Sequence, residues 1–252
     1  MCTPRFKKTG WLTCVWRSPE GVGYITDADG FLYRHTPGGG FPHEKVAGVL
    51  TGVWGIDDAH VYAWGQLDRA RPVLYRYDGG AWAAMPTPDA PIVGMHGLRP
   101  DELFAVGSEG FIARWDGSAW TTMTAPDRSN LASVRVVSSD EVYAAGHGGS
   151  LHQGSVHGWS PVLRDGDPIS ALAHWGGELW VATLGDLGLC KLVDRALESF
   201  KPNLLVTHLD DRGALVYTTT AKIGETTDGL KFTSFNVSAF EGAASSDPPA
   251  FR

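Results

Sequence analysis

His147, His152 and His157 recur five residues apart. Neutral imidazole is the commonest metal ligand, so regularly spaced histidines are the first place to look for chemistry. On an extended chain an odd spacing turns successive side chains to opposite faces, unlike the i, i+4 pair of a helix. These histidines therefore read as turn and edge residues, and neither a metal nor a cofactor is expected. Two carboxylate pairs, Asp57-Asp58 and Asp210-Asp211, occupy matching places in the chain. Neighbouring acids in a turn cap backbone amides more readily than they form an acid/base pair. Gly38-Gly39-Gly40 leads into Phe41-Pro42, not into Lys-Ser/Thr and a helix, so it is no phosphate loop. Gly146-His147-Gly148-Gly149 reads as a hairpin turn, and no serine stands in a G-x-S-x-G elbow. No catalytic residues emerge.

The elements that would hold any such group are repeats. Six apolar stretches begin at Leu12, Leu50, Ile92, Leu131, Ile169 and Leu204, with spacings of 38, 42, 39, 38 and 35 residues. About ten residues after each comes a β-branched or aromatic segment: GYITD, VYAWG, LFAVG, VYAAG, LWVAT and ALVYT. A third strand follows, as in Val73-LYRY and Phe111-IARW, and then a turn of the form Asp-Gly-x-x-Trp. The clear copies are Asp78 to Trp82 and Asp116 to Trp120, with a weaker one at Asp228 to Phe232 and degraded ones at Pro37 to Phe41 and His157 to Trp159. Four short strands per unit of about 40 residues is the spacing of a propeller blade. An all-β single propeller of six four-stranded blades is expected, with seven as the alternative. It would span 11–240, with 1–10 as an extension or closing strand and 241–252 as a loose tail. Residues 192–200 carry apolar groups at helical spacing, yet they fall where blade five needs its outer strands, so a distorted blade is expected there.

The pattern L-x-x-V-x-G, then D-x-x-x-A-V-G, then D-G-x-x-W resembles the BNR/Asp-box and YCF48-like propeller repeats. It departs from the strict Asp-box, S-x-D-x-G-x-T-W, because Asp and Trp are four positions apart and the upstream Ser is missing. The resemblance implies a propeller, a scaffold shared by sialidases, lectins, assembly factors and interaction scaffolds. A sialidase would need an arginine triad. Arg34, Arg76 and Arg114 recur at one third-strand position of three successive units, which argues for a structural role.

The formal charge is −7, and no basic run exceeds Lys7-Lys8, so the electrostatic footprint of a nucleic-acid binder is missing. No stretch of about 18 apolar residues could span a membrane as a helix. No apolar run follows Arg5, Lys7 and Lys8 to make a secretory leader. Three cysteines, Cys2, Cys14 and Cys190, without CxxC spacing read as reduced thiols, and a cytoplasmic location is expected.

What remains is surface. Trp16, Trp54, His96, Arg135 and His208 share the fifth position of the first strands and are expected at one end of the channel, with packing between blades as their main work. The loops that exceed what the fold requires are His43-Glu44-Lys45, Leu67-Asp68-Arg69-Ala70-Arg71, the loop with Arg128, and the one with Leu184 and Asp186. They are the expected partner-binding residues. A non-catalytic protein-binding propeller fits best: a scaffold, adaptor or inhibitor, of which an immunity protein against a bacterial toxin is one form. Its acidity favours a basic protein partner. A lectin-like propeller is the alternative, because tryptophans stack on sugars; a glycosidase is disfavoured.

Overall fold

The computed structural model describes residues 11–68 and 71–236. Among them are six four-stranded antiparallel sheets, each built from four consecutive strands. The fold is an all-β propeller. The chain divides into two compact units, 10–166 and, from residue 167 onward, a second.

The first unit holds four blades. Blade 1 is β1 (Leu12–Arg17), β2 (Gly23–Asp27), β3 (Phe31–His35) and β4 (His43–Lys45). Blade 2 is β5 (Val49–Gly55), β6 (Val61–Gln66), β7 (Pro72–Tyr77) and β8 (Trp82–Ala84). Blade 3 is β9 (Gly94–Arg99), β10 (Glu102–Val106), β11 (Ile112–Trp115) and β12 (Trp120–Met123). Blade 4 is β13 (Leu131–Ser138), β14 (Glu141–Gly146), β15 (Leu151–Ser155) and β16 (Gly158–Leu163). The second unit holds blade 5, with β17 (Ile169–Trp175), β18 (Glu178–Thr183), β19 (Leu189–Val193) and β20 (Ala196–Lys201), and blade 6, with β21 (His208–Asp210), β22 (Leu215–Thr218), β23 (Lys222–Thr226) and β24 (Thr233–Asn236).

Blade 5 is regular where a distortion was expected. Asp194 and Arg195 both take positive φ, 47° and 64°, and make the two-residue turn that joins β19 to β20. The alternation of strand side chains wins over a helical spacing that is coincidental.

The Asp-Gly turns work as their chemistry dictates. Asp78 accepts from the Gly80 and Ala81 amides at 2.9 and 3.0 Å, and Asp228 accepts from Leu230 and Lys231 at 2.8 Å each. Gly79, Gly117 and Gly229 sit at φ 98°, 95° and 71°, where a Cβ would be strained. The Ala119 amide and the Ser118 hydroxyl and amide hold the Asp116 carboxyl down at about 2.

In blades 2, 4 and 6 the aromatic that follows the turn reaches back to the second strand of the preceding blade, whereas Trp120 of blade 3 meets Trp115 of its own blade at 5.6 Å. Trp82 meets Tyr24 edge-on at 6.5 Å, Trp159 meets Phe104 at 6.1 Å, and Phe232 meets Trp180 at 6.4 Å. The core is thus a set of sandwiches. Trp16, Tyr24, Val53 and Val61 pack between blades 1 and 2, Tyr62, Trp64 and Met95 between 2 and 3, and Phe104 and Val134 between 3 and 4. In the second unit Trp180, Val206 and Tyr217 fill the space between its two blades. Each large apolar side chain so buried contributes about 1.5–3 kcal/mol.

The first strands differ in burial: Leu50 and Val53 of β5 are buried, whereas β1 opens its unit, and its Leu12 and Val15 are 48% and 64% exposed. A bulge recurs two residues into the strand in blades 1, 2, 4 and 5, between Leu12 and Cys14, Leu50 and Gly52, Leu131 and Ser133, and Ile169 and Ala171. The small residues just after these bulges, such as Gly52 and Cys14, have a steric cause. A Cβ on Gly52 would lie 2.2 Å from the Trp64 ring of its own blade, and the Cys14 thiol lies against the Val53 carbonyl of the next. The expected segments 1–10 and 241–252 lie outside the described residues.

Candidate functional site

In the first unit, the loops joining second to third strands and those leading to the next blade share one face. The reason is topological: in an up-and-down sheet both connections leave from the same end of the strands. Two of these loops are tied by ion pairs.

The first is the connection from β6 to β7. The Leu67 amide donates to the Arg71 carbonyl at 2.9 Å, and the Arg71 amide and Nε donate to the Asp68 carboxylate at 3.1 and 2.6 Å. Asp68 therefore folds the loop back on itself and leaves Leu67 46% exposed at its mouth. Arg69 lies outside the described residues.

The second is the connection from β12 to β13. Arg128 donates from Nε and Nη2 to Glu109 Oε2 at 3.1 and 2.6 Å. Glu109 tips a short 3-10 turn, Ser108–Gly110, and its amide donates to Asn130 Oδ1 at 3.0 Å. Exposed pairs of this kind contribute only about 0.2–1 kcal/mol, so what they fix is geometry. The pair itself helps line a pocket of about 590 Å³, together with Phe111, Thr122, Met123, Ala125 and Asp127.

Asp127 is anchored from behind. Its Oδ1 accepts from the Ser129 amide at 2.9 Å and lies 3.4 Å from Nε2 of His152, a fully buried side chain on β15. Burial works to raise the Asp127 carboxyl, but the Ser129 amide and hydroxyl and the nearby His152 and Arg164 leave it lowered. Burial lowers His152, against the pull of Asp127. His147 and His157, its partners in the sequence pattern, sit in exposed turns. Among the described residues no three His, Cys, Asp or Glu side chains come together to hold a metal.

His43, Glu44 and Lys45 are not a loop. They form β4, the outer strand of blade 1, paired with Tyr33, Leu32 and Phe31. The Phe31 and Tyr33 rings draw His43 to 5.5 and 5.3 Å and Lys45 to 5.1 Å from the Phe31 ring, and this packing overrides a sequence with no strand character. In the second unit Leu184, 45% exposed, and Asp186 lie as expected on the loop from β18 to β19. There the Leu184 amide donates to the Pro168 carbonyl and the Asn203 amide to the Asp186 carbonyl.

Of the residues expected at a channel end, Trp16, Trp54 and His96 pack between blades. Trp16 and His96 are 6% and 7% exposed, the Trp54 ring lies 4.9 Å from His96, and His96 Nδ1 accepts from the Val136 amide of the next blade at 3.2 Å. Burial and then the Arg135 charge push the His96 imidazole well below its usual range. His208 is exposed. Arg34, Arg76 and Arg114 each stand across the sheet from a second-strand aromatic, Tyr24, Tyr62 and Phe104.

The carboxylate pairs are engaged structurally. Asp57 accepts from the Ala59 amide and the His60 ring at 2.8 Å each, and Asp58 accepts from the Tyr24 hydroxyl at 3.0 Å. Asp210 pairs with Arg212, and Asp211 accepts from the His174 amide at 2.8 Å. In both copies the second acid reaches the preceding blade, a role that the repeat in the sequence does not reveal.

No protein-family model matches the chain, and no curated protein is similar to it. Among solved structures it is similar to one described as YCF48 bound to D1 peptide. The TM-score is 0.67 at 14% identity, over 92% of this chain and 82% of that one, a likeness that supports the propeller fold.

Proposed function

We propose that this chain is a non-catalytic, protein-binding β-propeller of the Asp-turn, YCF48-like repeat type, acting in the cytoplasm as a scaffold, adaptor or inhibitor. The observation that carries the reading is the loop face of the first unit. There, exposed Leu67 and Arg128 are held in place by ion pairs that contribute little stability, the arrangement expected of contact residues pre-set for a partner. The solved structure of similar fold described as YCF48 bound to D1 peptide supports it. The acids most able to do chemistry are occupied as caps and ties between blades, which favours binding over catalysis. The free thiols Cys14 and Cys190 favour a reducing compartment. An immunity role against a basic toxin is one form this function takes, and it rests on the charge of −7.

Affinity capture of the full chain from its native cells, with mass spectrometry, tests the reading. A stoichiometric protein partner lost on Leu67→Glu or Arg128→Glu supports it. Saturable glycan binding with no protein partner overturns it.

A further inference from the structure

Blades 3 and 4 carry the same short turn between second and third strands, Ser108–Gly110 and His147–Gly149. The tip residue is left-handed in both: Gly148 at φ 66° and Glu109 at φ 58°. Glycine takes that conformation freely, and a glutamate there is strained. The carboxylate is therefore kept at a cost to the fold, and what it does is hold Arg128 through Oε2. Glu109 Oε1 and Arg128 Nη1 make no hydrogen bond among the described residues, and the two side chains are 68% and 84% exposed. An acceptor and a donor thus stand together in the lining of the pocket to which Phe111, Met123 and Ala125 contribute apolar surface.

We infer that this pocket is a subsite for an extended peptide segment of the partner, an inference that rests on the protein-binding reading. One aliphatic side chain of Leu or Met size enters the pocket. A backbone carbonyl of the segment accepts from Arg128 Nη1, and a backbone N–H donates to Glu109 Oε1. Charge decides the occupant. A free anion would be opposed by Glu109 and Asp127, and a free cation by Arg128, whereas a peptide backbone is neutral and carries both groups along one edge. A sugar is disfavoured because Phe111, 9% exposed, offers no open ring face for stacking.

The test selects random decapeptides displayed on phage against the full chain, then measures the synthesised winners by fluorescence anisotropy. The winners share an aliphatic residue. Its replacement by Ala, or Thr122→Arg or Arg128→Ala in the protein, weakens binding about tenfold or more. Glu109→Gly is the discriminating variant. It relieves the strained turn, so its melting temperature holds or rises, while peptide binding falls about fivefold or more. Winners that bind equally well to all three variants would overturn the subsite and leave the protein-binding reading intact. So would a failure to select any peptide while native capture still yields a partner, or sugar binding abolished by Thr122→Arg.

Discussion

The Tyr24 hydroxyl donates to Asp58 Oδ1 at 3.0 Å, tying the second strand of blade 1 to the first turn of blade 2. Tyr24 is almost fully buried, and burial and then the Asp58 bond push its phenol up, so it remains a neutral donor at any ordinary pH. Tyr24→Phe keeps the ring packing and leaves the carboxylate without its partner. The expected loss is about 1–2 kcal/mol, a fall in melting temperature of about 3–6 °C. Thermal unfolding by circular dichroism measures it. An unchanged melting temperature would mean that water serves Asp58 equally well.

The glycine at or next to the end of the second strand in blades 2 and 4, Gly65 and Gly146, has a steric reason. A Cβ on Gly65 would lie 2.0 Å from the Val49 carbonyl oxygen, and one on Gly146 2.0 Å from that of Asn130. In each case the obstacle is backbone leading into the first strand of the same blade, which cannot swing aside. Gly65→Ala and Gly146→Ala are each expected to cost about 3 kcal/mol. Gly148→Ala meets nothing within 4 Å and pays only for its left-handed backbone, about 1 kcal/mol. Urea midpoints rank the three, and equal losses would refute the steric account.

Acid should weaken the first unit through two buried histidines. His96 accepts through Nδ1, so it must be neutral, and His152 is fully buried; both are held below the ordinary value of about 6.5. Arg135 faces His96, and Asp127 and Arg164 face His152. Below about pH 6.5 the unfolded chain takes up protons that the folded chain refuses. The stability is therefore full above that pH and declines as pH falls toward the folded values, by up to about 1.4 kcal/mol per pH unit for each histidine. His96→Asn keeps an acceptor near the place of Nδ1 without titrating, and His152→Gln keeps an amide donor near the place of Nε2, toward Asp127, without titrating. Each should show a smaller drop in urea midpoint between pH 7.5 and 5.5 than the parent chain. Parallel drops would contradict the assignment.

The blade period, the Asp-Gly turns and the fourth-strand tryptophans are legible in the residues because each rests on local chemistry. Asp78 caps amides two and three residues on, and Gly79 supplies the φ that the turn needs. What the sequence hides is what depends on a neighbouring blade or strand. His43 to Lys45 become a strand only because Phe31 and Tyr33 offer partners. Trp16 and His96, aligned at one repeat position, disappear between blades. At the candidate site the exposed loops are readable from their length, and Leu67, Arg71 and Arg128 lie on them. The pairing of Arg128 with Glu109 is not, because it joins residues on two loops. A clue does exist in the alignment of Ser-Glu-Gly with His-Gly-Gly: a glutamate stands where the same turn elsewhere uses glycine.

The loop face of the first unit is the surface through which the chain is proposed to bind a protein. Hydrogen exchange on the captured complex tests it most directly. Expected are a stoichiometric protein partner with slowed exchange in 66–68, 71–72, 108–110 and 126–130, and unchanged exchange in the turns at 57–60, 78–81 and 116–119 on the opposite end of the same blades. Protection confined to those opposite turns, or no protein partner at all, would contradict it.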